Sequence, residues 1–420
     1  MNFGQGAPGG VAVFHPGTQH SWQTALALQE LDMLAWYATS IFYQPDRWPY
    51  RLERWLPGAA GARLHREFRR FSQPRLNPDL VRTAGLAEWA ERLAARAGWG
   101  RLAQRIDHYG NHRFVRQIAA ELRSPQPFAV WGYNGSALST FELAQTLGRR
   151  CILDRTIGDY REYNALMDGV AECHEEWFLP ADRRIAAAQI ARDDREYALA
   201  DRIVVGSAHA ADTIARHTAP EIAAKLTVLP YCFDQALFGD MPPPAPIPAG
   251  QPVRLLFVGQ AHPRKGIHHV LEAFARISPV AATLTIVGEL RVPRAVFARY
   301  ADRVRYLPHV ARADIPAIMA QHHVLVFPSY FEGSALSLLE ALAAGLAIVQ
   351  TPAAGNGVTP ETGLMLARPD SNLLYEALLD AIGDRARLQQ WRVAAQLEAR
   401  RYDFANYRKN IAALLAGMIL

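Results

Sequence analysis

A proline-rich stretch most constrains the fold, because it divides the chain into two series of similar segments. Met241–Gly250 contains five prolines in ten residues. Proline lacks an amide hydrogen and fixes φ, so such a stretch forms a semi-rigid extended connector. On both sides, apolar runs are followed by glycine-containing or polar loops and then by helical patterns. Strands that alternate with helices pair in parallel, so the sequence predicts an α/β protein with two parallel-sheet domains.

The 420 residues are enough for two separate cores. We predict an N-terminal domain at residues 1–238, the connector at 239–252 and a C-terminal domain at 253–402. The last residues, 403–420, form an amphipathic helix that is expected to pack back on the first domain. Within the domains we predict strands at 11–14, 128–131, 151–154, 200–207, 225–234, 254–258, 284–288, 304–309, 324–328 and 346–349, and helices at 22–34, 81–98, 101–123, 137–147, 267–277, 372–382 (capped by Ser371), 384–400 and 405–418.

Composition excludes several classes of protein. The formal charge is +5 and the pI about 9.1, but no basic stripe interleaved with aromatic residues is present, so no nucleic-acid partner is expected. Three scattered cysteines indicate a reducing compartment rather than a disulfide framework. No apolar run is long enough to cross a bilayer and the N-terminus lacks a signal pattern, so we expect a cytoplasmic protein.

Arginines and aromatic residues are mixed between Pro45 and Arg82. A segment of this composition could lie on an anionic membrane surface at the inner face or contact a lipid-linked acceptor. A solvated face with a few core aromatics explains the same composition and is the favoured interpretation.

The strongest site signal follows the apolar run Val324–Pro328. Gly333 ends the strand, Ser334 is the predicted N-cap of the next helix, and Gly345 ends it. That helix is apolar on nearly every side, which predicts burial, and its single ionisable residue, Glu340, therefore needs a polar partner. At its start, close to Glu332, the amides of Ala335, Leu336 and Ser337 form a predicted anion site.

Two other loops carry candidate binding residues. Gly259 opens a loop after strand 254–258 that brings Arg264 and Lys265 to a helix start, a plausible phosphate clamp. After the first strand comes the polar loop Gly17, Thr18, Gln19 and His20, which we expect to line a cleft at the carboxyl edge of the sheet. An ordinary turn in which His20 only caps the helix explains this loop as well.

No metal site is expected from the sequence. Asp-x-Asp pairs are absent, so the sequence shows no evident binding site for a divalent cation. Cys173-His174 precedes two glutamates, but no second Cys/His pair is found at zinc-ligand spacing.

The motif running from Pro328-Ser329 through Glu332-Gly333 to Glu340 and Gly345 resembles the donor site of retaining glycosyltransferases of the GT-B fold, in particular glycosyltransferase family 4. Gly259 to Gly266 resembles the family's second donor loop, with Gln260 in place of a common arginine. The resemblance implies two Rossmann-like parallel-sheet domains facing a central cleft and no cofactor other than the nucleoside-diphosphate sugar substrate.

The resemblance also implies roles for individual residues. Glu340 would hold the ribose and Glu332 the sugar, with Arg264 and Lys265 on the diphosphate. His309 matches the position that seats the nucleobase, and Asp159 stands where relatives carry a histidine beneath the sugar. The acceptor would be a glycan, a lipid-linked sugar or a small molecule.

Three alternatives remain open from the sequence. The first is a sugar-nucleotide epimerase of the same architecture. A phosphorylase would need a lysine for pyridoxal phosphate, and the chain has only Lys225, Lys265 and Lys409. The third is a sugar-nucleotide-binding partner without catalysis, which the altered Gln260 and Asp159 leave open.

Overall fold

The structure is a computed structural model that describes residues 10–17, 20–56, 58–69, 71–83, 116, 118–182, 184–308 and 310–418. The chain divides into two compact units. Unit 1 consists of Met1–Asp154, Ala191–Val204 and Arg408–Leu420, and unit 2 of Arg155–Ile190 and Val205–Tyr407. The domain limits drawn from the sequence stay a prediction.

The first sheet has seven strands in the order β3-β2-β1-β4-β5-β6-β7. β1 pairs in parallel with both β2 and β4, and the pairs β2–β3 and β4–β5 are also parallel. Its centre is apolar and buried, as expected for a parallel sheet covered on both faces. The strands are β1 Gly10–His15, β2 Leu34–Thr39, β3 Val81–Thr83, β4 Phe128–Tyr133, β5 Cys151–Arg155, β6 Arg202–Val205 and β7 Leu226–Val228.

The second sheet has six strands in the order β10-β9-β8-β11-β12-β13, and its neighbouring strands pair in parallel. All four residues of β11 and of β12 are buried. The predicted α/β class with two parallel sheets is therefore confirmed. The strands are β8 Val253–Val258, β9 Ala282–Val287, β10 Val304–Leu307, β11 Val324–Phe327, β12 Ala347–Gln350 and β13 Gly363–Met365.

Helices connect the strands and cover the sheets. The α-helices are Ser21–Glu30, Leu52–Trp55, Gly58–Arg69, Leu138–Thr146, Tyr160–His174, Ala187–Leu199, Ala208–His217, Pro220–Ala223, Gln235–Phe238, Ile267–Ala275, Arg294–Ala298, Ile315–Ala320, Leu336–Ala343, Ser371–Gly383, Arg385–Ala399 and Phe404–Ala416. Short 3₁₀ turns lie at Pro78–Leu80, Glu175–Trp177, Pro180–Asp182, Pro263–Lys265, Arg312–Asp314, Pro352–Ala354 and Arg400–Tyr402. None of the helices in the described part of the chain is long and apolar enough to cross a membrane.

The connector Met241–Gly250 contains no helix or strand, as predicted. Its backbone instead supplies acceptors to side chains of the helix Arg385–Ala399. Three of its carbonyls accept hydrogen bonds over 2.6–2.9 Å, at Pro242 from Gln396, at Pro244 from Gln389 and at Ala245 from Arg392. The prolines cannot donate, so side-chain donors anchor the connector.

Two predicted helices were wrong in part. The helix predicted at 22–34 ends at Glu30, because Asp32 has φ of 57° and the chain turns into β2, which the sequence analysis missed. The helix predicted from Val81 begins instead as β3. The rest of that helix, and the first part of the one predicted at 101–123, lie outside the described residues; 118–122 are helical.

Two predicted caps were also wrong. Ala335 rather than Ser334 occupies the N-cap position of the helix Leu336–Ala343, and no side chain caps it. Asp370 rather than Ser371 caps Ser371–Gly383, where its carboxylate accepts from the amides of Asn372 and Leu373. Ser371 is engaged elsewhere, by Glu272 and His269.

Candidate functional site

The candidate site of unit 2 lies where the strand order of the second sheet reverses. β8 and β11 are neighbours, and the chain leaves both at the same carboxyl edge. The loops that follow carry residues 259–266 and 328–335. Ligands of open parallel sheets bind in the crevice at this switch point.

Glycines allow the two loops to approach each other closely. Gly259 has φ of 142° and Gly266 has φ of 69°, conformations that other residues rarely adopt. A Cβ on Gly266 would lie 2.1 Å from the carbonyl oxygen of Pro328. Between the two glycines, the His262 Nδ1 accepts from the Arg264 amide over 2.9 Å and shapes the turn that presents Arg264 and Lys265.

Two cations converge on one carboxylate oxygen. The Glu332 Oε1 lies 2.6 Å from the Lys265 Nζ and 2.7 Å from an Arg264 guanidinium nitrogen, and it accepts from the Ser329 hydroxyl over 3.1 Å. Arg264 also donates to the carbonyl of Phe331 over 2.6 Å. We call Arg264, Lys265, Ser329 and Glu332 the cationic cluster. Its two cations and one carboxylate leave one positive charge.

Electrostatics keep Glu332 ionised. Burial by itself would raise the pKa of Glu332, but the charges of Arg264 and Lys265 outweigh it and lower the pKa to about 2. Its second oxygen, Oε2, has no hydrogen-bond partner among the described residues. Glu332 therefore offers one fixed and one available carboxylate oxygen.

The helix Leu336–Ala343 begins beside this cluster with two open amides. The Ala335 amide donates to the Ala354 carbonyl over 3.1 Å, so the prediction that it forms part of the anion site was wrong. The amides of Leu336 and Ser337 have no acceptor among the described residues. The buried Ser334 hydroxyl likewise lacks a partner there. Three donors thus remain at the positive end of the helix.

Gly333 fixes the backbone that leads into this helix. A Cβ on Gly333 would lie 2.0 Å from the carbonyl oxygen of Thr156, so only glycine fits without movement of the backbone. The Gly333 carbonyl accepts from the Ser207 hydroxyl. These contacts hold the position of Glu332 relative to the helix start.

Glu340 is buried, as the apolar helix predicted, and its partner is Arg312. Burial raises the pKa of Glu340, while the hydrogen bond and charge of Arg312 oppose that rise. The Arg312 side chain is 52% exposed, so one end of this pair reaches solvent. The sequence analysis predicted that Glu340 needs a partner but did not identify Arg312.

Asp159 lies in unit 2 as the N-cap of the helix Tyr160–His174. Its carboxylate accepts from the Arg161 amide over 2.9 Å and contacts the Arg161 guanidinium at 3.3 Å. Burial raises the pKa of Asp159. These contacts account for an aspartate here, and its place beneath a sugar stays a prediction.

A second polar group lies at the switch point of the first sheet, in unit 1, and we call it the histidine–aspartate cluster. His20 stands edge-on to Tyr133 with ring centroids 5.4 Å apart, and its Nε2 lies 3.7 Å from the Asp154 Oδ2. The Trp131 indole donates to the same oxygen over 3.3 Å. His20 precedes the helix Ser21–Glu30, but its side chain makes no capping hydrogen bond.

The rest of the predicted first loop is described in part. The Gly17 amide donates to the His15 Nδ1 over 2.9 Å, and its carbonyl accepts from Thr39. The predicted residues Thr18 and Gln19, and His309 of unit 2, lie outside the described residues. The sequence analysis missed Asp154 and Tyr133 as site residues, although both come at the carboxyl ends of predicted strands.

Comparison with known proteins supports the fold and one domain. The family model described as "Glycosyl transferases group 1" matches residues 252–384. Glycogen synthase of Mycobacterium tuberculosis is 29% identical over 206 residues, which are 47% of this chain and 49% of that protein. The lipopolysaccharide glucosyltransferase WaaG of Escherichia coli K12 is 28% identical over 174 residues, 39% of this chain and 46% of WaaG. The chain thus spans about half the length of the curated relatives it matches.

A solved structure covers nearly the whole chain. Anabaena HepE, crystallised with UDP-glucose, superimposes with a TM-score of 0.61 over 98% of this chain and 100% of HepE, at 14% identity. An identity this low shows the fold alone. The chain has the two-sheet α/β architecture of GT-B glycosyltransferases, as the sequence analysis predicted.

Proposed function

We propose that this protein is a retaining glycosyltransferase that transfers a sugar from a nucleoside-diphosphate sugar without a divalent metal. The observation that carries the proposal is the cationic cluster, which stands beside the open amides of Leu336 and Ser337. The matching family model over residues 252–384 covers the same loops and supports it.

The cationic cluster suits a diphosphate in charge and geometry. Its excess positive charge is partly buried, where electrostatic attraction is stronger than in water. Arg264 can bind two phosphate oxygens and Lys265 supplies a point charge. The Leu336 and Ser337 amides add donors at a helix N-terminus. Charge that develops on the leaving diphosphate is stabilised by these groups, a role that a metal ion takes in other transferases.

Glu332 and Glu340 then hold the two sugars of the substrate. The free Oε2 of Glu332 accepts from hydroxyls of the transferred sugar, and the negative charge stabilises the oxocarbenium character of the anomeric carbon. Glu340 binds the ribose hydroxyls while the neighbouring Arg312 favours its ionised form. Its separation from the amide of Leu336 is about 6 Å along the helix axis, at a rise of 1.5 Å per residue.

The acceptor attacks from the face that the diphosphate leaves. No carboxylate is assigned as a nucleophile, because Glu332 is fixed by two cations. The bond from the anomeric carbon to the diphosphate breaks as the acceptor oxygen bonds to the same face, and the leaving phosphate takes the acceptor proton. We assign the histidine–aspartate cluster of unit 1 and the predicted loop 17–20 to binding of the acceptor.

The test is a reaction with defined donors and a product of known configuration. Untagged protein is incubated with UDP-, GDP-, ADP- and dTDP-glucose in EDTA, with small glycans as acceptors, and NMR determines the anomer formed. We expect retention, no need for magnesium, and thermal stabilisation by one diphosphate, about 2.7 kcal/mol at a hundred times its Kd. An inverted product contradicts the mechanism, and an epimerised sugar formed without an acceptor indicates an epimerase.

We also propose a contact of the segment 47–56 with an anionic membrane surface. Trp48 is 59% and Trp55 is 75% exposed, and they lie among the exposed Arg47, Arg51 and Arg54. Exposed tryptophan beside arginine suits the bilayer interface. Other aromatics between Pro45 and Arg82 are core residues, since Tyr50 and Phe68 pack with Ile41.

Vesicle sedimentation tests this contact. We expect binding to vesicles that contain phosphatidylglycerol, and a loss of at least about tenfold in the variant Trp48→Ser/Trp55→Ser. The matched control is Val280→Ser, which removes another exposed apolar side chain, 80% exposed. Equal binding by wild type and the double variant contradicts the contact.

A further inference from the structure

A cluster of three histidines in unit 2 lies outside the cationic cluster. His174 is the last residue of the helix Tyr160–His174, and His268 and His269 belong to the first turn of Ile267–Ala275. Ring centroids lie 4.0 Å apart for His268 and His269, and 4.6 Å for His174 and His268. One ring nitrogen from each lies within 4.8 Å of the other two.

His268 stands out because neither of its ring nitrogens has a partner in the part of the chain that the structure describes. The residue is completely buried, and among the described residues neither its Nδ1 nor its Nε2 makes a hydrogen bond. An imidazole carries one donor and one acceptor, and buried polar atoms are normally paired. A neutral imidazole has a lone pair on one of its two ring nitrogens. The lone pair is the group that a metal ion requires.

A hydrogen-bond relay fixes the tautomer of His269. The Ser371 hydroxyl donates to Glu272 over 2.5 Å, so its oxygen accepts from the His269 Nδ1 at 2.7 Å. The proton is then on Nδ1, and the lone pair is on Nε2. Histidines that bind metals are oriented in this way, by a carboxylate-linked hydrogen bond at the other ring nitrogen.

We propose that His174, His268 and His269 form a binding site for zinc or a similar divalent transition metal. Three imidazoles and one water complete a tetrahedral zinc shell, and imidazole also suits nickel and copper. Hard cations such as magnesium prefer oxygen ligands. His174 is partly exposed and provides the entry path.

The sequence analysis found only the pair Cys173-His174 and looked for a second pair at zinc-finger spacing. The fold provides that pair from His268 and His269, more than ninety residues further along the chain. Their neighbouring positions on one helix gave no signal, because adjacent histidines there are also compatible with a core helix.

The site is connected to the donor loop through Tyr330. The Tyr330 hydroxyl lies 2.6 Å from the His269 Nε2, the atom assigned to the metal, and the Tyr330 amide donates to the Arg264 carbonyl over 2.8 Å. A bound metal therefore displaces the Tyr330 hydroxyl from His269. Metal binding and the position of the donor loop are coupled by this exchange.

Competition of the untagged full-length protein with a chromophoric zinc chelator tests the site. We expect one zinc per chain without nucleotide present, and binding at least about tenfold weaker in His174→Gln and His268→Gln. Cobalt in place of zinc is expected to give visible absorption of a tetrahedral complex. Magnesium is not expected to compete.

Two further variants separate a metal site from incidental binding. His65→Gln removes a histidine that pairs with Glu53 in unit 1 and should leave zinc binding unchanged. Tyr330→Phe removes the competing hydroxyl and should bind zinc at least as tightly as wild type. His174 is partly exposed, so His174→Gln remains informative if His268→Gln does not fold. The proposed site is overturned if the wild type binds zinc no more tightly than His174→Gln. It is also overturned if Tyr330→Phe binds zinc more weakly than the wild type.

Discussion

The two sheets have the same strand order around their switch points, yet their switch points carry different chemistry. In unit 2, Lys265 and Arg264 meet one carboxylate and leave a net positive charge beside two open amides. In unit 1, His20 and Tyr133 meet the buried carboxylate of Asp154, to which the Trp131 indole also donates. Topology places both groups, and side-chain charge decides which ligand each can bind.

We propose a different task for each switch point. A diphosphate needs compensating charge, and the cationic cluster supplies it. A hydroxyl acceptor needs hydrogen-bond partners, and we propose that His20, Tyr133 and Asp154 supply them. Variants in the two clusters should therefore affect different kinetic constants.

The largest effect is expected from Glu332→Gln. Loss of the carboxylate charge removes stabilisation of the anomeric centre and releases Arg264 and Lys265 from their fixed positions. We expect kcat to fall by about 10²–10³, as for removal of one electrostatic contact to a transition state. Steady-state release of nucleoside diphosphate measures it.

The control for this variant is Glu142→Gln, a partly exposed glutamate of unit 1 that pairs with Arg195. It should leave kcat within about twofold of wild type. If Glu332→Gln turns over as fast as Glu142→Gln, the cationic cluster has no catalytic role.

A smaller and different effect is expected from His20→Gln in the histidine–aspartate cluster. The variant keeps a hydrogen-bonding side chain but changes its shape, so we expect the KM for the acceptor to rise about tenfold, by roughly 1.4 kcal/mol. The KM for the sugar donor should stay unchanged. If His20→Gln instead raises only the KM for the sugar donor, the two switch points have been assigned to the wrong substrates.

The pH dependence of stability should also distinguish the cationic cluster. The pKa of Glu332 in the folded protein is about 2, below its ordinary value of 4.5. Its contribution is therefore complete above pH 4.5 and is lost as the pH falls towards 2. The difference in free energy of unfolding between wild type and Glu332→Gln should shrink by up to about 1.4 kcal/mol per pH unit below 4.5.

Urea unfolding at pH values from about 6 to about 3.5 measures this slope. Val280→Ser, which replaces an exposed side chain without an ionisable group, provides the comparison and should show no such change over the acid range. A pH-independent difference for Glu332→Gln would mean that Glu332 is not an ionised partner of the two cations.

The smallest effect is expected from Arg312→Gln. Arg312 is half exposed, so solvent screens its attraction to Glu340. Its loss should raise the pKa of Glu340 further and weaken nucleotide binding by a few fold, with a larger loss at low pH as Glu340 is protonated. Titration with nucleoside diphosphate at about pH 6 and about pH 8 measures the affinities of wild type and Arg312→Gln. Equal affinity of the two proteins contradicts the role of Glu340.

Sequence patterns correctly predicted the features that depend on residues close together in the chain. The apolar runs Val253–Val258 and Val324–Phe327 are strands, and Gly259 and Gly333 occupy positions where conformation or contact requires glycine. The all-round apolar helix indicated that Glu340 is buried.

Contacts between distant segments could not be predicted in this way. The acceptor of the Ala335 amide is the carbonyl of Ala354, and nothing in the sequence near either residue indicates this hydrogen bond. The partner of Glu340 comes from a 3₁₀ turn 28 residues earlier, Arg312. The helix ends at Glu30 because Asp32 adopts a left-handed backbone conformation, which the local sequence does not indicate.

The central claim is that Arg264, Lys265 and the amides of Leu336 and Ser337 bind a diphosphate without a metal. Calorimetric titration of UDP, GDP, ADP and dTDP in EDTA tests it most directly, on wild type and on Arg264→Gln/Lys265→Gln. The account predicts that one nucleotide binds wild type in EDTA and binds the double variant at least about a hundredfold more weakly, since each charged contact contributes about 1.5–3 kcal/mol. Binding that requires magnesium, or that is equal in both proteins, would contradict it.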